Sequence, residues 1–322
     1  MKILLTGGLG YIGSHIAYYL KEKAVIIDNQ SNSKLDFKKY IPKSKVYKLD
    51  LNYLNLNKIF NENNIKSVIH LAGFKSVEQS ELYPIKYYKN NVISSLDLLE
   101  AMDNFKINKL IFSSSATVYG DRNRAPFKEN YPLNATNPYG NNKILIEKLI
   151  SDYSKTNSSF KCFSLRYFNP IGADLSSGLS DQPLGNPLNL IPILNHAIKN
   201  KKIFRVFGND YKTKDGTCIR DFIHVVDLAK AHIAALKNIN KIKGHEPVNL
   251  GLGSGISVMD IIQLYERINK VKIKYKFNKR RKGDISISYA NNKKALDLLD
   301  WKPNFSYEDM VHDSWLSYIR NL

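Results

Sequence analysis

Strand-type and helix-type patterns alternate strictly along the first half of the chain, and this alternation constrains the fold more than any other feature. Short apolar runs bounded by turn residues predict six strands: Lys2–Thr6, Ala24–Asp28, Lys45–Leu49, Ser67–Leu71, Lys109–Ser113 and Lys161–Tyr167. Between them, apolar residues at three- and four-residue spacings predict helices: Ile12–Lys23, Leu54–Asn63, Pro84–Phe105 and Pro138–Thr156. This order favours parallel strands joined by right-handed crossovers. The sequence therefore predicts an α/β fold with a doubly wound, Rossmann-type parallel sheet.

The second half of the chain shows a looser pattern. A stretch rich in Gly, Pro and Ser covers Pro170–Pro192, after which a helix is predicted at Val225–Lys237 and a strand near Val248–Leu250. The segment from Val258–Asn269 onward predicts a smaller, mixed α/β lobe. A chain of 322 residues is long enough for two domains. We expect residues 1–169, joined again by 220–250, to form one domain, and residues 170–219 and 251–322 to form the smaller lobe.

The formal charge of +19 raises the question of a nucleic-acid partner. Only nine of the 48 basic residues are Arg, and the Lys residues are spread along the chain among many Asn, Ile and Tyr, a bias typical of A/T-rich coding sequence. Basic tails and long Arg runs are absent from the sequence, so we expect no nucleic-acid partner. No apolar run reaches the roughly 20 residues of a membrane span, which predicts a cytoplasmic protein without a membrane partner. Two cysteines and no metal-type His spacing predict that no metal is bound.

A glycine-rich turn follows the first predicted strand and opens the first predicted helix. Residues 7–13 read GGLGYIG, in which Gly8, Gly10 and Gly13 have the G-x-G-x-x-G spacing. Glycines at these places allow a tight turn, close approach of the backbone to a pyrophosphate and close packing of helix on strand. The N–H groups at the helix N-terminus favour phosphates. Because strand and helix flank the motif, it predicts a dinucleotide site.

Two aspartates stand where the second and third predicted strands end. The carboxylate of Asp28 can accept both hydroxyls of an adenosine ribose and would repel a 2′-phosphate, so it favours NAD over NADP. Asp50 is placed to meet the adenine, although an ordinary turn residue at a strand end explains it equally well.

A serine-rich strand end and a Tyr-x-x-x-Lys pair carry the predicted chemistry. The segment that begins at Ser113 and contains Ser115 ends the fifth strand, at the carboxyl edge where open α/β sheets bind ligands. Tyr139 and Lys143 are four residues apart and therefore share one helix face. A phenol with an ordinary pKa near 10 needs cationic neighbours, here Lys143 and a nicotinamide ring, to act as a base at neutral pH. Ser115 can then donate to, or relay a proton from, the same substrate oxygen.

Seven segments together carry a family resemblance. They are GGLGYIGSH from Gly7, DNQSNS from Asp28, SSSATVYG from Ser113, PYGNNK from Pro138, LRYFNPIGA from Leu165, GTCIRDFIHVVDLA from Gly216 and RRKGD from Arg280. Over nearly its whole length the chain resembles the extended short-chain dehydrogenase/reductases and, within them, the UDP-glucose 4-epimerase family. That resemblance implies an NAD-dependent isomerase of nucleotide sugars and a homodimer formed through two helices of the dinucleotide domain.

The resemblance also implies which residues contact each ligand. The implied NAD contacts are Gly7, Gly10, Tyr11, Ile12, Gly13, Asp28, Asn29, Asn32, Ser33, Asp50, Leu51, Leu71, Ala72, Gly73, Lys75, Asn90, Ser115, Tyr139, Lys143 and Phe168. The implied nucleotide-sugar contacts are Lys75, Ser115, Thr117, Tyr139, Asn169, Asn189, Leu190, Arg220, Arg281, Asp284 and Ser288. A guanidinium suits a diphosphate because it offers a charged fork of donors, which agrees with the roles implied for the two arginines.

The implied reaction inverts C4 of a UDP-hexose, interconverting UDP-glucose and UDP-galactose. Tyr139 removes the 4-hydroxyl proton, with Lys143 and Ser115 in support, and hydride leaves C4 for the nicotinamide. The 4-keto sugar then turns its other face to the same hydride, which returns.

Two other functions are weighed against this reaction. A related 4,6-dehydratase needs an Asp-Glu pair just after the strand-end serine, but the chain has Ala116-Thr117-Val118 there. An NAD-sensing or nucleic-acid-binding scaffold would leave Tyr139 and Ser115 without a role.

One residue bears on the size of the sugar. Relatives confined to plain hexoses resemble one another in having a Tyr four residues after the Asp284 position, beside C2 of the sugar, whereas relatives that also accept N-acetylhexosamines have a small residue there. This chain has Ser288, which predicts activity on UDP-GlcNAc and UDP-GalNAc as well. Tyr289 is one position away, so a one-residue shift in register would restore the Tyr.

Overall fold

The computed structural model describes residues 2–185, 189–281 and 283–320. Residues 186–188, inside the stretch predicted to be loose, lie outside the described residues. The strands, numbered in chain order, are β1 (Lys2–Thr6), β2 (Ala24–Ile27), β3 (Lys45–Tyr47), β4 (Ile65–His70), β5 (Lys109–Ser115), β6 (Lys161–Tyr167), β7 (Asn169–Ile171), β8 (Phe204–Phe207), β9 (Ile219–Arg220), β10 (Phe222–His224), β11 (Gly244–Leu250), β12 (Ile256–Ser257), β13 (Tyr275–Asn278) and β14 (Ile287–Ser288).

Helices fill most of the connections between these strands. The α-helices are α1 (Tyr11–Leu20), α2 (Phe37–Tyr40), α3 (Tyr53–Glu62), α4 (Val77–Leu82), α5 (Pro84–Tyr88), α6 (Ser94–Asn104), α7 (Pro138–Thr156), α8 (Leu190–Lys199), α9 (Val225–Asn238), α10 (Val258–Asn269), α11 (Lys293–Leu299) and α12 (Tyr307–Arg320). Across the described residues, no helix is both long and apolar enough to span a membrane.

Seven strands form one parallel sheet in the order β11-β6-β5-β4-β1-β2-β3. The connections reverse direction between β1 and β4, and a ligand crevice is expected at the carboxyl ends of the strands beside such a point. The doubly wound parallel sheet predicted from the sequence is confirmed, and β11 extends it by a strand from the second half of the chain.

Apolar side chains cover both faces of the sheet, as a parallel sheet requires. Successive residues of a strand point to opposite faces, so Leu5 packs with α1 and α9 while Leu4 packs with α3, α6 and α7. A third core cluster lies apart from these two and joins Leu194, Val206, Ile261 and Met310, which come from α8, β8, α10 and α12. Three small sheets, β10-β7, β12-β9-β14 and β13-β8, accompany this third cluster, as the predicted mixed lobe requires.

The segment predicted as one helix over Pro84–Phe105 is interrupted. It consists of α5, a π-helical turn at Lys89–Ile93, and α6. The side chain of Asn91, inside the π turn, accepts a hydrogen bond from Phe74 N at 2.8 Å and donates one to Phe74 O at 3.1 Å. These bonds tie the turn to the loop after β4, and turns of this kind are frequent at functional sites.

Candidate active site

A cleft of about 470 Å³ lies at the carboxyl ends of β1, β2 and β4. Most residues that the sequence analysis assigned to NAD line it: Gly7, Gly10, Tyr11, Ile12, Gly13, Asp28, Asn29, Asn32, Ser33, Asp50, Leu51, Leu71, Ala72, Gly73, Lys75, Asn90, Tyr139 and Lys143. The other two residues do not line the cleft. Ser115 ends β5, and Phe168 lies in a buried cluster with Tyr119 and Phe127.

At Gly7 and Gly13 the glycine turn passes so close to its neighbours that a side chain cannot fit. Gly7 has a φ of +71°, and a Cβ added to it would lie 2.7 Å from Ala72 N. A Cβ on Gly13 would lie 2.3 Å from Gly7 O. Gly10 precedes α1 without a side-chain cap, and the nearest atom to a Cβ placed there is 3.4 Å away. The N-terminus of α1 is therefore left open to the cleft, as phosphate binding requires.

Asp28 is fixed at the end of β2 by backbone hydrogen bonds. Its Oδ2 accepts from Leu9 N at 2.9 Å and its Oδ1 accepts from Gln30 N at 2.7 Å. Burial raises the pKa of this carboxyl group, and the two hydrogen bonds oppose the rise. Beside it, Asn29 Nδ2 donates to Asp50 Oδ1 at 2.7 Å, which joins the ends of two strands. The cleft thus has a rigid acidic edge that suits ribose hydroxyls.

The first turn of α7 carries the Tyr-Lys pair into the cleft. Asn137 caps the helix by accepting from Gly140 N at 2.9 Å, and Pro138 follows at the first helical position. Lys143 Nζ donates to Ser113 O at 2.6 Å and lies 5.8 Å from the centroid of the Tyr139 ring. Burial lowers the pKa of Lys143 to about 8, although the charge of Glu147 opposes this shift.

The Tyr139 phenol lies in a buried position, which changes its pKa. Burial raises the pKa of Tyr139 to about 12, and a hydrogen bond with Ser115 only partly opposes the rise. The Lys143 ammonium group donates its hydrogen bond to the Ser113 carbonyl. With a pKa this high, the phenol is protonated at neutral pH.

Ser115 and Thr117 lie together beside Tyr139. The Ser115 hydroxyl caps a short 3-10 turn by accepting from Thr117 N at 3.3 Å, and it also accepts from Thr117 Oγ1 at 3.0 Å. Because Ser115 also forms a hydrogen bond with the Tyr139 phenol, the hydroxyl groups of these three side chains form a hydrogen-bonded network at the end of β5.

The small three-stranded sheet brings several predicted sugar-nucleotide residues together. Ser288 of β14 pairs with Arg220 of β9, and Arg220 Nη2 lies 3.6 Å from Asp284 Oδ1. Asn169 Nδ2 donates to the backbone oxygen of the residue after Arg220, at 2.7 Å. The guanidinium of Arg281 instead lies over the Phe207 ring of β8, 3.9 Å from the ring centroid.

A second cleft of about 350 Å³ adjoins the first. The two share Tyr11, Asp181 and Gln182 in their linings, and Asn189 lines only the second. Leu190 begins α8 directly after Asn189. The predicted contacts of the second half are thus spread over the small sheet and this cleft.

A buried polar chain below the cleft was missed in the sequence analysis. Thr6 Oγ1 and His70 Nδ1 are 2.7 Å apart, His70 Nε2 and Ser95 Oγ are 2.9 Å apart, and Ala72 N donates to Thr6 Oγ1 at 3.2 Å. Burial, together with the charge of Lys143, lowers the pKa of His70 to about 3, so the ring is neutral. Thr6 ends one predicted strand and His70 lies next to the end of another, but the pairing of these two strands is seen only in the structure.

In the part of the chain that the structure describes, no group of His, Cys, Asp and Glu side chains could hold a metal ion. Cys162 and Cys218 are free thiols in buried positions.

Comparisons with known proteins identify one family. A profile of the NAD dependent epimerase/dehydratase family matches residues 3–251. The UDP-glucose 4-epimerase of Dictyostelium discoideum is 43% identical to the chain, and the match covers 98% of this chain and 94% of the relative.

Solved structures extend the same likeness to the whole fold. The structure of UDP-glucose 4-epimerase from Bifidobacterium longum in complex with NAD+ and UDP aligns with a TM-score of 0.94 at 40% identity, covering 100% of this chain and 99% of that one. The UDP-Glc/GlcNAc 4-epimerase of Campylobacter jejuni aligns with a TM-score of 0.84 at 32% identity, covering 100% and 99%.

Proposed function

Because the chain belongs to the NAD dependent epimerase/dehydratase family, we propose that it is a UDP-glucose 4-epimerase that interconverts UDP-glucose and UDP-galactose. Membership confirms the resemblance and the NAD cofactor predicted from the sequence. The observation that supports the activity most directly is the Tyr139–Lys143 pair, which lies in the cleft that also contains the glycine turn and Asp28.

The residues of the cleft fit NAD. The spaces beside Gly7 and Gly13 are too tight for a side chain, and the open N-terminus of α1 at Tyr11 and Ile12 would hold the pyrophosphate. Asp28 would accept the adenosine ribose hydroxyls. When bound, NAD supplies the acceptor and donor of the C4 hydride.

Tyr139 is the proposed acid and base for the 4-hydroxyl group. Its phenol oxygen takes the proton as the 4-keto sugar forms and gives it back after the sugar has turned, with Ser115 as the hydroxyl that relays it. A phenol with a pKa of about 12 is almost entirely protonated at neutral pH and cannot accept a proton, so a positive charge brought into the cleft must lower that pKa for the reaction to proceed. Lys143, held on the Ser113 carbonyl, keeps one cation beside the ring.

The nucleotide is the part of the substrate that the protein has to hold firmly, because the sugar must turn over. We propose that Arg220 and Arg281 bind the diphosphate and that Asp284 accepts the uridine ribose hydroxyls. Further contacts with the nucleotide sugar are proposed for Lys75, Thr117, Asn169, Asn189 and Leu190. Phe168 is proposed to contact NAD.

Activity on UDP-GlcNAc and UDP-GalNAc is the finer part of the proposal. Paired residues of parallel strands face the same side, so the Ser288 and Arg220 side chains share a face of the small sheet. Tyr289 faces the opposite side, where its ring lies 3.2 Å from where a Cβ on Gly255 would be. This pairing supports Ser288, rather than Tyr289, as the residue proposed to lie beside the sugar, where a small side chain would leave room for an acetamido group.

An exposed apolar surface supports the proposed homodimer. Four neighbouring helices each expose a large apolar side chain: Leu82 on α4, Ile85 on α5, Leu96 on α6 and Leu145 on α7. The most exposed are Ile85, at 72%, and Leu82, at 65%. Apolar patches of this kind mark interaction surfaces in soluble proteins. We propose that two copies meet through two of these helices, as the family resemblance implies.

The division of the chain follows from the same ligands. We propose that residues 1–169 and 220–250 bind NAD, and that residues 170–219 and 251–322 bind the UDP-sugar; the separate third core cluster supports this division. The free thiols of Cys162 and Cys218 fit the proposed cytoplasmic location.

An assay with four substrates tests the proposed function. The purified protein is incubated separately with UDP-Glc, UDP-Gal, UDP-GlcNAc and UDP-GalNAc, and the products are resolved by chromatography, while the nucleotide released on denaturation is identified. We expect both pairs to interconvert and NAD to be released. Recovery of NADP, or formation of a 4-keto-6-deoxy sugar, would contradict the proposal; activity on the hexoses alone would contradict its finer part.

A further inference from the structure

One buried carboxylate joins the segments that carry the proposed UDP-sugar contacts. Asp221 follows Arg220 directly and is completely buried. Its backbone N–H donates to Ser288 O at 2.9 Å. Its backbone oxygen accepts from Asn169 Nδ2 at 2.7 Å and from Asn169 N at 3.3 Å. The main chain of this one residue therefore contacts two proposed UDP-sugar residues and adjoins a third.

The side chain of Asp221 holds two further segments. Its Oδ1 accepts from Leu252 N at 2.8 Å, and its Oδ2 accepts from Gly253 N at 3.2 Å and from Ala290 N at 3.0 Å. Ala290 lies two residues after Ser288, so the carboxylate fixes the chain on the far side of β14. A Cβ on Gly251 would lie 2.3 Å from Asp221 Oδ2, which shows how closely the turn after β11 surrounds the carboxylate.

An amide cannot replace this carboxylate without loss. Three backbone donors converge on its two oxygens, whereas Asn has one accepting oxygen and an NH2 group that would face at least one donor. A buried donor without a partner is unfavourable. Burial also raises the pKa of Asp221 to about 7, so the fold retains a carboxyl group whose charged form is unfavourable there.

We propose that Asp221 is a positioning residue for the UDP-sugar. It holds Asn169, Arg220 and Ser288 in the relative places that nucleotide binding requires, and it acts through them rather than by touching the substrate. This inference rests on the proposed function. Because Asp221 does not line the NAD cleft, its loss should weaken UDP binding and leave NAD binding intact.

The test compares two buried aspartates of the same segment. Asp227, also completely buried, accepts from Asn304 N at 2.8 Å and Phe305 N at 3.0 Å and bonds to none of the proposed contacts. In the NAD-loaded enzyme, Asp221→Asn should raise the Kd of UDP at least tenfold by calorimetry. The KM for UDP-galactose should rise similarly, kcat should fall less than threefold, and NAD content should not change. Asp227→Asn should leave both UDP values as in the wild type.

A second variant moves the carboxylate without removing it. Gly251→Ala places a methyl group against Asp221 Oδ2, and we expect the Kd of UDP to rise at least threefold with full NAD content. This variant decides the question if Asp221→Asn does not fold. A wild-type Kd for UDP in a folded Asp221→Asn or Gly251→Ala protein overturns the inference, as does equal loss of UDP affinity in the Asp227→Asn control. A wild type that binds UDP but does not epimerise would contradict the proposed function and leave this test valid.

Discussion

The two residues of the proposed catalytic pair have pKa values displaced in opposite directions by the same cause. Burial raises the pKa of Tyr139 to about 12 and lowers that of Lys143 to about 8, since the charged form of each is disfavoured away from water. Neither shift favours a phenolate. The proposed role of Tyr139 as a base therefore requires further positive charge beside the phenol.

Replacing the phenol tests its role at this scale. Tyr139→Phe removes the hydroxyl that exchanges a proton with the substrate, so turnover should fall by roughly 10²–10⁴ while the melting temperature changes little. Tyr153→Phe is a matched control on the same helix, because the Tyr153 hydroxyl donates to Asp103 outside the cleft. Near-normal turnover by Tyr139→Phe would assign the proton transfer to another group, with Ser115 the next candidate.

The size of residue 288 should decide which sugars are accepted. Ser288→Tyr fills the space that an acetamido group would use, and overpacking typically costs about 1–3 kcal/mol. Interconversion of UDP-GlcNAc and UDP-GalNAc should therefore be lost selectively, as measured by chromatography on both substrate pairs. Ser288→Ala keeps a small side chain and should retain both activities. Equal loss of both activities in Ser288→Tyr would place the residue elsewhere than beside C2.

At the scale of elements, a buried ion pair fixes α7, the helix that carries the proposed catalytic pair, to the sheet. Glu147, one turn after Lys143, accepts from Ser114 Oγ of β5 at 2.5 Å and from Arg166 Nε and Nη2 of β6 at 2.9 and 2.6 Å. Both ionised side chains are almost completely buried, at 4% exposure. Removing one partner of such a pair strongly destabilises the folded protein, because the other partner is left charged and unpaired.

Glu147→Gln should therefore lower the free energy of unfolding by about 3–5 kcal/mol, measured by urea denaturation. Asp152→Asn on the same helix breaks a surface contact with Lys148 and should have a far smaller effect. Similar stabilities for the two variants would show that the buried pair does not anchor α7.

Sequence patterns predicted the elements of the large sheet far better than those of the smaller lobe. The ranges of β1, β6 and α7 agree with the predicted ones, because long apolar periods and caps define them locally. Two-residue strands such as β9 and β14 have no period to detect and exist through pairing with distant segments. For the same reason the contacts of Asp221, which join residues far apart in sequence, could not be predicted.

At the scale of the whole molecule, the fold buries histidines in neutral form. Burial lowers the pKa of His15 and His232 to about 4 and is the main cause of the similar shift at His70. An unfolded His has a pKa near 6.5, so below that pH the unfolded state takes up more protons than the folded state. The contribution of these neutral histidines to the free energy of unfolding is therefore complete above pH 6.5, and it is lost as the pH falls towards 4.

Each such histidine should contribute a loss of up to about 1.4 kcal/mol per pH unit in this window. His232→Asn removes one titrating group, since an amide can still donate to Leu228 O as His232 Nδ1 does at 2.8 Å. Urea denaturation from pH 8 to pH 4.5 should show a shallower decline for the variant than for the wild type. Parallel curves would show that His232 does not enter the folded state uncharged.

The central claim is that the chain inverts C4 of a UDP-hexose by taking the hydrogen from that carbon and returning the same hydrogen to its other face. The most direct measurement follows UDP-[4-²H]galactose incubated with the purified protein in ordinary water, using NMR and mass spectrometry of the product. We predict UDP-glucose that retains its deuterium at C4. UDP-glucose with hydrogen from water at C4, or no UDP-glucose at all, would contradict the claim.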